Sequence, residues 1–209
     1  SNPFRIFKNL LNTYSTAFVY FFYHPKVGLW LGATPETLLK IEGNRLTTMA
    51  LAGTQTFKAT EEVVWQDKER DEQQIVTKFI VDSLQPSVET IIVSDAKTIK
   101  AGNLLHLQTN ISAILNPEHT NLQGLLHNLH PTPAVCGLPK DEAKKFILKH
   151  ENYNREFYTG FLGELNLTEK TSRNSNRHNV ENDVYAIVKK VTNLYFNLRC
   201  MQLKDHQAI

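Results

Sequence analysis

Cysteine is scarce. Cys136 and Cys200 are the only two in 209 residues, far apart and outside any metal-type spacing. That excludes a disulfide framework and a cysteine-zinc site, leaves both as small packing residues, and makes a reducing cytoplasm the expected setting. A charge excess is missing too: 23 Lys and Arg face 21 Asp and Glu, for a formal charge of +2. Such a balance supplies no electrostatic footprint for nucleic acid or an anionic membrane, so neither is an expected partner. No apolar run approaches the roughly 18 residues of a membrane helix; Ala17 to Phe22 is far shorter and reads as a buried strand. The N-terminus has no basic region followed by an apolar core and a cleavage site, so no secretory signal is expected. Ser1-Asn2 reads as a cloning scar, which would place the start inside a longer gene. Gly-rich phosphate loops, zinc spacings and nucleophile elbows are all absent.

What is present is an ordinary globular composition, 41% apolar and 21% charged, long enough for one sizeable core. Phe4, Ile6, Phe7, Leu10 and Leu11 recur at helical spacing and predict an opening amphipathic helix. Strands are predicted over Ser15–Tyr23 and Val27–Gly32, then a hairpin over Leu38–Leu51 with its turn at Glu42–Arg45. Lys68–Leu84 is the clearest helix. Ser87–Lys97 and Leu104–Ile114 predict strands, Leu122–Leu129 and Asp141–His150 helices, and Phe157–Leu165 and Asn193–Met201 strands. Between the last two, the polar, Asn-rich stretch Asn166–Thr192 predicts a loop excursion with an ordered patch near Val184–Val188. No repeat or linker divides the chain, so a single domain over 1–209 is expected. Long strands joined by short turns, with helices set apart, predict an α+β fold of mainly antiparallel sheets.

Three places could carry chemistry. In the helix from Lys68, the stripe Ile75, Val76, Phe79 and Ile80 extends back to Glu72, with Glu69 near its edge. A carboxylate aimed inward is costly unless it meets a basic side chain or a cation, and spacing leaves both open. In Gly32-Ala33-Thr34-Pro35-Glu36, Pro35 can open a short helix and Glu36 then lies in its first turn. Leu129-His130-Pro131-Thr132-Pro133-Ala134 is a stiff loop, able to hold a small polar ligand or simply to connect. His106 is a lone histidine among apolar strand residues, a pattern more typical of a satisfied core side chain. Arg199, within Phe-Asn-Leu-Arg-Cys-Met, alternates with Asn197 and Met201 and suits bidentate carboxylate recognition or plain solvent exposure.

The order of these blocks carries more than any one of them. Gly32–Glu36, Leu51–Thr54, Lys68–Glu72, His106–Thr109, Leu129–Ala134, Arg155–Gly160 and Leu198–Cys200 resemble successive blocks of the chorismate-binding enzymes. That family has an anthranilate synthase component I-like fold and makes isochorismate, salicylate, anthranilate or aminodeoxychorismate. The Leu-His-Pro-Thr-Pro-Ala loop resembles the isochorismate-forming branch. The resemblance implies a Mg²⁺-dependent isomerisation of chorismate, with water added at C2 and the C4 hydroxyl lost. It implies Glu36 as general acid, Glu72 as a Mg²⁺ ligand with Glu69 beside the metal, and Arg199 and Tyr158 on a substrate carboxylate. Gly53, Thr54, His106 and Ala134 would line the same pocket.

The resemblance also implies gaps. The family's water-activating lysine lies upstream of the matched region, and a Gly-rich strand and a helix with another metal carboxylate follow it. An incomplete domain, inactive by itself, is therefore expected, from a parent protein that could be a monomer feeding quinone or siderophore synthesis. Asn154 stands where many members have Asp, and the stretch Asn166–Thr192 is longer than in many relatives. A non-catalytic chorismate-binding piece completed by flanking segments is the alternative of a different class.

Overall fold

The computed structural model describes residues 2–60, 62–171, 187–204 and 207–209. Leu38, Leu39, Leu46, Ala50 and Ala52 are buried, so β3 (Thr37–Glu42) and β4 (Arg45–Thr56) form the middle of the larger sheet. Gly43, at φ +62, closes the turn between them, as the hairpin expectation required. β7 (Leu104–Leu115) pairs along β4, while β9 (Ile187–Phe196) pairs with β3 and then with β8 (Phe161–Thr171). On the free side of β7, β5 (Val88–Val93) and β6 (Lys97–Ala101) occupy successive stretches. A second sheet has the order β1 (Phe18–His24), β2 (Gly28–Thr34), β10 (Cys200–Lys204), β11 (Gln207–Ala208). Every pairing among the described residues is antiparallel. The fold is α+β, as the pattern of strands and helices predicts.

Helix α1 (Pro3–Thr13) starts with Asn2 Oδ1 accepting from Phe4 N and sets Phe4 and Phe7 against Phe21 of β1. Helix α2 (Asp67–Leu84) covers the larger sheet with Val76, Ile80 and Leu84. Leu125 and Leu129 of α3 (Leu122–Leu129) join the same core. Two shorter helices follow, α4 (Pro133–Cys136) and α5 (Lys140–His150). Among the described residues, no helix is long and apolar enough to cross a membrane.

The structure departs from the sequence reading in several places, and the strand expected over Phe157–Leu165 starts only at Phe161, after a turn at 157–160. Residues 166–171 and 187–192, expected within a loop, are paired strands of the β8–β9 hairpin; 172–186, with most of the expected ordered patch, lie outside the described residues. Much of this extension is solvent-exposed, as at Asn166, Glu169 and Lys189, so it carries no apolar alternation to announce a strand. The strand expected over Ser87–Lys97 ends at Val93, where Ser94 Oγ accepts from Asn110 N, and β6, starting at Lys97, is a further strand that the sequence reading did not include. The strand expected over Asn193–Met201 breaks at residues 197–199. No helix follows Pro35; the chain enters β3 directly.

Glycine is required at position 32, where β2 lies between β1 and β10. A Cβ there would stand 2.9 Å from Tyr20 Cε1 and 3.0 Å from Cys200 Cβ. Gly32→Ala is expected to cost about 1–3 kcal/mol through overpacking, read as a lower urea midpoint with an unchanged slope.

Candidate active site

The chain passes from one sheet to the other at residues 35–36 and returns at residues 197–199. The two crossings run side by side: Phe196 N donates to Glu36 O (3.0 Å), and Ala33 N donates to Arg199 O (3.2 Å). Glu36 and Arg199, 163 positions apart, thereby reach one cavity of about 200 Å³. Its wall also includes Thr54, Glu72, His106 and Ala134, with Pro35, Leu51, Ala52, Val135 and Leu198 as the apolar part.

Glu36 is 8% exposed. Burial pushes its carboxyl from 4.5 up to about 7, against the opposing pull of the Arg199 guanidinium. The desolvation cost of the carboxylate therefore outweighs its attraction to the cation. Arg199 is not a strand residue; it has φ +51 at the break before β10, and its side chain reaches His106, with Nη2 3.1 Å from Nε2. His106 is buried in β7, and its Nδ1 lies 3.2 Å from Gly53 O and 3.1 Å from Thr54 Oγ1.

Gly53 interrupts the β4–β7 ladder, whose register shifts between Ala52 and Thr54, and it has φ +68. A Cβ at this position would lie 3.2 Å from both Glu69 Cβ and Glu69 O. The glycine thus admits the first turn of α2 to the edge of the site. Glu69 is only partly exposed, and its Oε2 is buried without a hydrogen-bond partner. Glu72 faces the cavity from the next turn, but it is an exposed residue rather than part of the helix's inner stripe. The buried face is Gln73, Val76, Ile80 and Leu84, while Ile75 is 49% exposed. The Nε2 of buried Gln73 donates to Ala50 O and Thr109 Oγ1, long-range partners that spacing cannot reveal, while its Oε1 has no hydrogen-bond partner.

The loop 129–134 brings Ala134 to the cavity wall, while Thr132 is buried. Side chains not singled out in the sequence hold it there. His130 Nε2 donates to Thr159 O (2.8 Å), and Lys140 Nζ donates to the carbonyls of His127 and His130 (3.0 and 2.9 Å). Tyr158 is not on the cavity wall; it is 39% exposed, with its ring 5.8 Å from the Arg155 guanidinium. A larger cleft of about 770 Å³ between α2 and the β5–β6 edge is lined by none of the candidate acid, metal-holding or substrate-binding residues. The smaller cavity is the candidate site, because it gathers the buried acid, the guanidinium and the histidine.

Comparison with known proteins gives the family. The sequence profile of the chorismate binding enzymes covers residues 1–172. The chain belongs to this family. It is 35% identical over 146 residues to isochorismate synthase MenF of Escherichia coli, a match spanning 66% of this chain and 33% of that protein. The salicylate biosynthesis isochorismate synthase of Pseudomonas aeruginosa is 35% identical over 145 residues, 65% of this chain and 30% of that one. The chain thus spans about a third of the length of the curated relatives it matches. The solved structure of the E. coli menaquinone-specific isochorismate synthase MenF superposes with a TM-score of 0.69 at 25% identity, over 89% of this chain and 40% of that one. Anthranilate synthase component I from Streptococcus pneumoniae shares the fold, with a TM-score of 0.74 at 21% identity over 100% of this chain and 43% of that one.

The raised Glu36 pKa makes stability depend on pH. The folded form binds this proton more tightly than the unfolded one, so the contribution is complete below pH 4.5 and lost as pH rises through about 7. The displacement from 4.5 to about 7 is worth on the order of 3 kcal/mol. Glu36→Gln, neutral throughout, is expected to be more stable than the unaltered chain at pH 8 relative to their comparison at pH 4.5, measured by denaturant melts at both.

Proposed function

We propose that this chain is part of a Mg²⁺-dependent isochorismate synthase that acts on chorismate in the cytoplasm, its product feeding quinone or siderophore synthesis. One observation carries the reading: Glu36 retains a proton near neutral pH on the wall of a cavity that also presents the Arg199 guanidinium. The relatives that match this chain and are named isochorismate synthases support the choice of reaction.

Glu36 gives its proton to the C4 hydroxyl as the C4–O bond breaks, so that the group departs as water. A second water adds through oxygen to C2, the ring double bonds shift, and its proton passes to a base. No lysine is among the described residues lining the cavity, and we assign the base to a part of the protein beyond this chain. Turnover by the chain alone is not expected. Arg199 takes a substrate carboxylate, and the ionised Glu36 left after proton transfer is stabilised by the same cation. Gly53, Thr54, His106 and Ala134 shape the pocket, and Tyr158 is assigned to the carboxylate by its match to the family alone.

Glu69 and Glu72 of α2 fit a magnesium ion. The unpartnered Glu69 Oε2 calls for a cation or donor, and Glu72 offers a second oxygen from the cavity wall. Among the described residues, no cluster of three Asp, Glu, His or Cys forms a complete cage. Mg²⁺ takes one or two carboxylates and fills its remaining positions with water and substrate oxygen, so Glu69 and Glu72 would suffice to hold it. When bound, it supplies positive charge against a substrate carboxylate.

The test is the full-length protein with chorismate, with and without Mg²⁺ and ammonium, and chromatographic identification of the product. A magnesium-dependent isomer of chorismate, without pyruvate or amination, is expected. Glu36→Gln is expected to lower kcat by roughly 10²–10⁴. Glu72→Gln is expected to raise the Mg²⁺ concentration for half-maximal rate. Salicylate with pyruvate, or an aminated product, would overturn the isomerase reading.

A further inference from the structure

We propose that His106 is a positioning residue, a neutral imidazole protonated at Nδ1 whose Nε2 lone pair holds Arg199 at the cavity wall. The proposal rests on Arg199 being the carboxylate anchor, and it concerns how that anchor is aimed. The direction of each bond follows from donor chemistry. A guanidinium nitrogen has hydrogens to give and no lone pair to accept with, so the 3.1 Å contact of Arg199 Nη2 with His106 Nε2 needs a lone pair on the ring. The ring proton is then on Nδ1. There it meets Gly53 O at 3.2 Å, a carbonyl that can only accept. Thr54 Oγ1, 3.1 Å from the same nitrogen, also accepts, and its own O–H remains to serve a ligand in the cavity that Thr54 lines.

The bulge in β4 makes this possible. In an uninterrupted ladder the Gly53 carbonyl would be spent on backbone pairing. The register shift between Ala52 and Thr54, with Gly53 at φ +68, leaves this carbonyl for the imidazole. Burial pulls the His106 pKa down, the Gly53 bond opposes that pull, and the Arg199 charge adds to it; the neutral ring suits its place.

Neutrality also serves the neighbour. Among the described residues, Arg199 has no carboxylate within ion-pair distance. An aspartate or glutamate in place of His106 would aim the guanidinium equally well but would cancel its charge. An imidazole acceptor fixes the geometry with one of five N–H groups and leaves the full positive charge, with four N–H groups, for an anionic ligand.

The experiment has two arms. In the unaltered protein labelled with ¹⁵N-histidine, long-range ¹H–¹⁵N correlation of His106 is expected to show the Nδ1–H tautomer at neutral pH. The Nε2–H tautomer, or an imidazolium, overturns the proposal whether or not isochorismate is formed. In the second arm, chorismate binding and steady-state rates are compared for the full-length protein, His106→Gln and His106→Leu. Loss of the acceptor in His106→Leu is expected to raise Kd and KM by about tenfold or more, with a much smaller change in kcat. His106→Gln, which can both donate and accept, recovers most of the affinity. Loss of kcat in both variants with KM unchanged would make His106 a proton-transfer group and overturn the positioning role. Weakened chorismate binding in His106→Leu, together with a product other than isochorismate, would leave the positioning role intact and overturn only the assigned reaction.

Discussion

The site depends on the seam where the chain crosses twice between its two sheets. Neither crossing would hold by itself, since each is an irregular segment between strand ends. They are fastened to one another by the backbone bonds Phe196 N to Glu36 O and Ala33 N to Arg199 O. Behind them stands Asn197, 2% exposed, with its polar groups occupied. Its Oδ1 accepts the Tyr20 hydroxyl, its Nδ2 donates to Phe157 O, its N–H donates to Gly160 O, and its carbonyl accepts from Thr159 N. One buried amide therefore joins β1, the 157–160 turn and the return crossing. A fully satisfied network of this kind is rigid because each partner would be left unpaired if it moved.

Rigidity at the seam permits a charge arrangement that would otherwise relax. Glu36 is poorly solvated and stays protonated into the neutral range, even though Arg199 lies close enough to favour its anion. Across the cavity, Glu72 is solvated, and Glu69 has one oxygen enclosed without a donor. Three glutamates thus differ by environment: Glu36 is buried with its carboxyl pushed up, Glu69 has one enclosed oxygen, and Glu72 is exposed. The Gly53 bulge links the two sides, since its missing Cβ admits Glu69 and its carbonyl engages His106.

Much of the fold was legible because local periodicity and turn chemistry reported it. The hairpin turning at Gly43 and the α3 helix over Leu122–Leu129 follow from short stretches of chain, and each forms where its pattern predicts. Arg199 misled because its apolar neighbours continue on both sides of a break that only packing produces. The inner face of α2 misled for the reverse reason: Gln73 is polar in sequence, and its partners Ala50 and Thr109 are supplied by strands 23 and 36 positions away. The paired parts of 166–192 were hidden because a hairpin extension exposed to solvent needs no apolar alternation.

The sequence by itself determined which residue types were available and in what order, since spacing along one element decides which side chains share a face. That was enough for an α+β antiparallel fold and for the blocks that carry the family resemblance. Only the tertiary structure decided that Glu36, His106 and Arg199 share a cavity while Tyr158 stands outside its wall. It also decided that burial pushes the Glu36 carboxyl up and that His106 Nε2 meets the Arg199 guanidinium at 3.1 Å. Those outcomes depend on burial and on partners distant in the chain, and no local pattern of residues encodes the dielectric or the donors that a side chain will meet.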